Sequence, residues 1–542
     1  MAALVCGRGT ADTVGHLEAG DVTISGSLPT AQMRLAWFTP LAPVRSGIAS
    51  YSAMVLPALA ARHEIALFVG DDVWTARRPL ARVGVDGFAA ADSAWGPIRS
   101  AHDFAPLHQA RPFDLVVYQL GNAGCHDHMW AYLTRYPGLV VLHDAQLHQS
   151  RAHALIARGR ADDLRAELRF AHPDAPAGVA EWILAGLGNP GAPIWPFTSV
   201  PLASARAVVV HFPALAEELR AAWPGLPVEV VRHGAPDLRS PANFQRPTTN
   251  HQGTPNDQLP TAPADADPSQ AWESEVGSSL EVGPWQLEVP ADAGGRPLTF
   301  AAFGLVTPEK RVPQMLRALA AIRGAVPAVR LRLVGGETPH YDVRADAEAH
   351  GVADLVEVTG WVGDGAFDRA IQDADVCLCL RWPTNREASG PWIRALGAGK
   401  PTVINDLTHL VDLPTLDPRT WTVQVASPAA ADATRVWRRE EAMAVAIDIL
   451  DEDHSLALAM RRLALDAGLR ADLGAAARRH WAAGHTVEHM ADDYERAIRA
   501  AIAAPVQPGR ALPPHVTADG TALARRLAAE VGVAVDFLVN RP

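Results

Sequence analysis

Short, continuous apolar runs recur along the chain, and a helical pattern separates each from the next. Runs over 34–38, 64–69, 113–119, 138–142, 207–211 and 228–231 form one series; runs over 298–303, 331–334, 356–360, 376–380 and 402–404 form another. A run of four to six apolar residues bounded by turn signals reads as a buried strand, and strands alternating with helices build a parallel, doubly wound sheet. Two series of this kind predict two α/β domains.

Composition sets the outer limits. A chain of 542 residues with 48% hydrophobic and 20% charged content is ordinary for a soluble globular protein of two to three domains. The net charge of -12 argues against nucleic acid or an anionic membrane as the main partner, while leaving room for a local basic pocket. Cys6, Cys125, Cys377 and Cys379 offer neither a disulfide framework nor paired Cys-x-x-Cys spacing, so a cytoplasmic location is expected. No apolar run approaches the roughly 18 residues that span a bilayer, and the N-terminus lacks a basic region followed by an apolar core. Peripheral membrane contact stays open.

Residues 1–32 lack periodicity and read as a flexible extension, or as a misassigned start upstream of Met33. A first Rossmann-like domain is expected over 33–236. Residues 237–296 are rich in Pro, Thr, Asn, Asp, Gln and Ser and read as a linker expanded by a disordered insertion, with a small module around Trp272 to Val289 as the alternative. A second Rossmann-like domain follows over 297–480, then a helix over 481–504 and a tail over 505–542 with one amphipathic helix near 522–531. The whole of 435–504 reads as strongly helical.

The polar residues worth weighing lie where strands end. After the first strand, Arg45, Ser46 and Gly47 open a helix, a plausible anion site or simply a turn. The loop Gly121-Asn-Ala-Gly-Cys-His126 and the run His143-Asp144-Ala-Gln-Leu-His148 follow two further strands, delivering Asn122, His126, His143, Asp144 and His148 to one side of a sheet. A His-Asp pair there can orient an imidazole or bind sugar hydroxyls. His126 and His148 read equally well as packed or exposed polar residues. No His-x-x-x-His pair marks a metal site, and no metal is expected.

In the second series, Gly304 is followed by Pro308, Lys310 and Arg311 at a helix start, placing an ammonium beside free N–H groups where a diphosphate could bind. Lys-Arg at such a place is otherwise a solvated pair. Gly335 allows close approach to a base or ribose. The stretch 374–406 is a complete strand-loop-helix-strand unit, with Glu387 in the loop, a helix start near Ser389 and Gly390, and a Gly399-Lys400-Pro401 turn before the next strand.

These elements, in this order, resemble the GT-B glycosyltransferases of family 4. The best matches are the run after the strand from Gly304 through Pro308 to Lys310 and the Glu387 to Pro401 segment, and the resemblance covers roughly 33–235 and 297–500. It implies two Rossmann-like domains facing across a cleft, and a helix that crosses back onto the first domain. It further implies retaining, metal-independent transfer of a sugar from a nucleotide-diphosphate sugar to an acceptor hydroxyl, with no cofactor. On that likeness Lys310 would meet the donor diphosphate, Glu387 the sugar hydroxyls and His143 the transferred sugar. Gly47 would leave room for phosphate or acceptor.

Two departures accompany the likeness. Leu305 stands where an arginine is frequent, so Arg311 is the expected substitute, and the second glutamate that normally holds the ribose falls on Ala395 or Arg394. A nucleotide-sugar epimerase-type enzyme and a non-catalytic nucleotide-sugar-binding protein are the alternatives. A dinucleotide-dependent oxidoreductase would need Gly-x-Gly-x-x-Gly after the first strand, which is absent.

Overall fold

The computed structural model describes residues 32–240, 296–425, 437–505, 511–518 and part of 526–532, apart from 85, 87, 188–193, 327, 408, 409, 411 and 412. Nearly all of the expected N-terminal extension and of the expected insertion, and half of the expected tail helix, lie outside the described residues.

The first domain is built on strands β1 (Arg34–Phe38) and β2 (Glu64–Val69), a separate ribbon of β3 (Arg82–Val83) and β4 (Ala89–Ala90), then β5 (Ile98–Ser100), β6 (Leu115–Leu120), β7 (Leu139–Leu142), β8 (Ala207–Val210) and β9 (Val228–Val230). The sheet order is β5-β2-β1-β6-β7-β8-β9, and every neighbouring pair is parallel. Every residue of β6, β7 and β8 is buried, as strands covered by helices on both faces must be.

The second domain repeats the plan with β10 (Leu298–Phe303), β11 (Val329–Val334), β12 (Val356–Val358), β13 (Val376–Cys379), β14 (Thr402–Asn405), β15 (Thr415–Leu416), β16 (Val423–Gln424) and β17 (Ala444–Ile447). Its order is β12-β11-β10-β13-β14-β17-β15-β16, with only the β15–β16 pair antiparallel. Both sheets are the doubly wound, parallel kind that the alternating runs predict.

Strand β17 departs from the helical reading of 435–504. The run Ala444-Val-Ala-Ile447 is too short for periodicity to separate strand from helix, and it is settled by pairing with β14 and β15. Helices Glu452–Leu465, Ala467–Gly484 and Val487–Ala503 follow. The last packs into the first domain, burying Met490, Ala491, Tyr494, Ala497, Ile498 and Ala501 among the residues of β1, β2 and the helix Gly47–Ala60.

The chain thus passes between domains twice, and the two passages touch. The Ala235 N–H donates to the His485 carbonyl at 2.9 Å and Trp481 Nε1–H donates to the Ala235 carbonyl at 3.2 Å. A Cβ at Gly234 would lie 2.7 Å from the Thr486 carbonyl oxygen, so only glycine admits this contact. Residues 511–518 return to the first domain, where Val516 is buried and His515 pairs with Glu167 at 2.8 Å. Among the described residues no helix is long and apolar enough to cross a membrane.

Candidate active site

Parallel strands deliver their following loops to one edge of a sheet, and the two edges here face each other. The Ala145 N–H, just past β7, donates to the Asn385 carbonyl, just past β13, at 2.8 Å. Around this contact the charged residues converge.

From the end of β13 the chain runs Leu380-Arg-Trp-Pro-Thr-Asn-Arg-Glu387. The Glu387 carboxylate is folded back, accepting from the Thr384 hydroxyl and the Asn385 N–H, each at 2.9 Å, and pairing with Arg381. Arg386 is left-handed, with φ of 59°, and this lets consecutive side chains leave in different directions. Glu387 turns into the second domain, whereas Arg386 grips Glu218 of the first at 2.6 and 2.7 Å. Burial works to raise the Glu387 carboxyl, but Arg381, backbone and Thr384 hydrogen bonds and Lys310 together hold it below its ordinary range. It is ionised at neutral pH.

Lys310 ends the single turn Pro308–Lys310 after β10, half-buried beside Gly304. Burial and Arg381 depress its ammonium to about 8, although Glu387 and Cys379 pull the other way. Two cations therefore flank one carboxylate at the strand ends of the second sheet. Across the cleft, Asp144 accepts from the Asn122 N–H at 2.8 Å and from the Asn385 side chain. Burial, then the Glu387 charge, lift the Asp144 carboxyl to about 7, so it is largely protonated below that pH.

His143 sits at the end of β7, with both ring nitrogens engaged. Nδ1 lies 3.1 Å from His211 Nε2, and Nε2 lies 2.7 Å from the Gln119 side-chain amide. His211 donates Nδ1–H to the Val231 carbonyl at 2.8 Å, and burial lowers it to about 4, leaving its Nε2 bare. His143 Nε2 faces the Gln119 side-chain oxygen, and the Gln119 amide nitrogen in turn donates to the Tyr494 hydroxyl 3.3 Å away. Burial, followed by His211, His126 and His233, holds His143 neutral well below its ordinary range. The ring is fixed in place and is not a proton acceptor for substrate at neutral pH.

The remaining candidates fall into two groups. Gly47 opens the helix Gly47–Ala60 with nothing within 4 Å of a Cβ, and Ser389 caps the helix Gly390–Ala398, accepting from the Trp392 N–H at 3.4 Å. Gly390 faces the His233 ring of the first domain. These positions line the cleft. Asn122 instead uses its side-chain oxygen to cap Ser150 N–H at 2.9 Å, and His126 donates Nδ1–H to the Gln119 carbonyl at 2.8 Å, so both tie the first domain's own loops together. His148 likewise bonds the Trp195 carbonyl at 2.9 Å. A Cβ at Gly335 would lie 1.8 Å from the Gly304 carbonyl oxygen, so the close approach made there is between two strand ends.

Arg311 does not stand beside Lys310's ammonium as a free cation. Its guanidinium is paired with the buried carboxylate of Glu452 and with the Trp382 carbonyl. The cation that stands near Lys310 and Glu387 is Arg381, which belongs to the loop after β13. At the position of the absent second glutamate, Ala395 is fully buried and Arg394 is buried in an ion pair with Asp368 at 2.7 Å. Among the described residues no group of three His, Cys, Asp or Glu side chains is arranged to hold a metal ion.

Residues 297–434 match the family of group 1 glycosyl transferases. That match covers most of the second domain. The whole chain is similar in fold to sucrose-phosphate synthase from Thermosynechococcus elongatus, at 13% identity over 87% of this chain and 100% of that one, with a TM-score of 0.50. A glycosyltransferase from Rickettsia africae gives 10% identity over 88% and 100% of the two chains, again with a TM-score of 0.50. HepE from Anabaena, solved in complex with UDP, gives 12% identity over 86% and 100%, with a TM-score of 0.47. No curated protein is significantly similar to the chain in sequence. At these identities the likeness to the two structures with TM-scores of 0.50 establishes the GT-B fold alone.

Sequence reasoning passed over Arg381, Asn385, His211 and Gln119. Arg381 and Asn385 lie inside the loop that was singled out for Glu387, so their position was readable there. His211 and Gln119 end strands β8 and β6, but nothing in a strand's own sequence says which neighbour its last side chain meets.

Proposed function

We propose that this protein transfers a sugar from a nucleotide-diphosphate sugar to an acceptor hydroxyl, with retention at the anomeric carbon and without a metal. The observation that carries the reading is the meeting of Lys310, Arg381 and Glu387 at the strand ends of the glycosyltransferase domain, opposite Asp144 and His143. The bond from the anomeric carbon to the leaving phosphate oxygen breaks, the bond to the acceptor oxygen forms, and the acceptor proton leaves with the nucleoside diphosphate. Charge develops on the leaving phosphate oxygens, and Lys310 and Arg381 are fixed where they would stabilise it. The ionised Glu387, and Asp144 in its protonated form below about pH 7, supply an acceptor and a donor for sugar hydroxyls from opposite sides of the cleft. Cys125, Cys377 and Cys379 form no disulfide among the described residues, which fits a reducing cytoplasm, where such donors are found.

A non-catalytic nucleotide-sugar-binding protein is the second reading, favoured by the buried Arg394–Asp368 pair where the ribose-holding glutamate would stand. Calorimetric titration with UDP, GDP and ADP tests the site shared by both readings. One diphosphate should bind, and its affinity should fall by about tenfold as pH rises through about 8, because Lys310 loses its charge there. Asp144 adds to the fall in the same direction, since above about 7 it becomes a carboxylate facing the ligand. Affinity that is flat or rising across this range would remove Lys310 from the diphosphate site.

A further inference from the structure

The loop that carries Glu387 belongs to the second domain by its ends and to the first by its middle. On the second-domain side, the Trp382 N–H donates to the Glu309 carbonyl at 2.8 Å, and Arg311 donates to the Trp382 carbonyl. On the first-domain side, the Asn385 carbonyl accepts from Ala145, the Asn385 side chain bonds Asp144, and Arg386 makes a two-pronged ion pair with Glu218. The same Asn385 gives its backbone N–H to the Glu387 carboxylate. One residue thus joins both carboxylates of the cleft.

Apart from this loop, the domains are joined where the chain crosses between them. There the backbones of 234–235 and 485–486 pair, with no room for a side chain at Gly234 and with a Cβ at Gly484 placed 2.8 Å from Arg232 Nη1. A close-packed double crossing and a separate polar grip on a loop are the parts of a hinge and a latch.

We propose that Thr384–Glu387 is a closure latch, in which Asn385 and Arg386 hold the first domain and thereby set the Glu387 carboxylate for the sugar, so that opening the cleft withdraws Glu387 from its working position. Asn385 and Arg386 are positioning residues under this proposal, which rests on the transferase reading for its consequence but not for its geometry. The left-handed backbone at Arg386 fits the role. Such a conformation is strained for a residue with a side chain, and here it is what sends Arg386 and Glu387 to different domains.

The test uses amide hydrogen exchange of the ligand-free chain, because the Ala145 N–H is bonded only through closure of the latch to Asn385. Arg386→Glu places two like charges together and should speed Ala145 exchange roughly five- to tenfold, while exchange in the β6 and β10 cores is unchanged. Glu218→Arg should do the same, and the exchanged pair Arg386→Glu with Glu218→Arg should restore protection. With a donor in hand, Asn385→Ala should lower kcat more than it weakens donor binding. Ala145 exchange unaltered by either single charge reversal, or no recovery in the exchanged pair, would overturn the latch. Exchange behaving as expected in a chain that turns over no nucleotide sugar would leave the latch standing and remove the transferase reading alone.

Discussion

Arg381→Ala and Lys310→Ala should each lower kcat/KM for the donor by about 10²–10³, the scale found when one fixed group stabilising transition-state charge is removed. Neither change should unfold the second domain. Lys310 is held below its ordinary pKa by burial and by Arg381, so its ammonium is placed there at a cost to folding rather than in support of it. Arg311→Ala should behave in the opposite way. It leaves the buried Glu452 without its cation, and loss of one partner from a buried pair costs about 3–5 kcal/mol. Stability and activity therefore separate two arginines that the sequence alone does not distinguish. Because Lys310 and Arg381 act on one charge, the double variant should lose less than the sum of the two. Equal activity in wild type and Arg381→Ala would return the second cation to an unassigned position.

The second large effect is on the fold. Removing the chain from 486 onward should prevent the first domain from folding, although the deleted helix lies at the far end of the sequence. Helix Val487–Ala503 supplies six fully buried side chains to the core around β1 and β2. It also brings Asp493, fully buried and bonded to Arg232 at 2.8 Å, and Glu495, which meets the buried His63 at 2.7 Å. Those two links would leave Arg232 and His63 facing an open core. A milder version is Tyr494→Ala, which empties a ring-sized volume against Trp37 and breaks the 2.9 Å hydroxyl contact with Tyr51. It should cost about 3–5 kcal/mol in the melting of the first domain, while Tyr494→Phe should cost about 1 kcal/mol. A truncated chain with a native-like first-domain melting transition would show that the helix is an accessory.

The architecture was legible because its signal repeats. Runs such as Ala207–Val210 and Leu139–Leu142 are apolar throughout, which only a sheet covered on both faces requires. Strand β17 was lost for the opposite reason, since four small apolar residues carry no period of their own. At the site, Lys310 and Glu387 could be picked out because each sits in a turn whose Gly and Pro residues fix its outline. Arg311 was misjudged as a diphosphate ligand because adjacency in sequence says nothing of direction: a left-handed backbone at 61° turns it away toward Glu452. Asn385 shows the same limit from the other side. Its importance comes from Asp144 and Ala145, more than two hundred residues earlier, and from a facing of two sheets that no local pattern encodes.

The most direct test of the central claim is the release of nucleoside diphosphate from a panel of nucleotide sugars, measured with and without a mixed panel of acceptors carrying free hydroxyls. One donor should be consumed, its diphosphate released only when an acceptor is present, and the rate reduced about 10²-fold or more in Lys310→Ala. Tight binding of that donor with no acceptor-dependent release, or release that Lys310→Ala leaves untouched, would contradict the assignment of this cleft to sugar transfer.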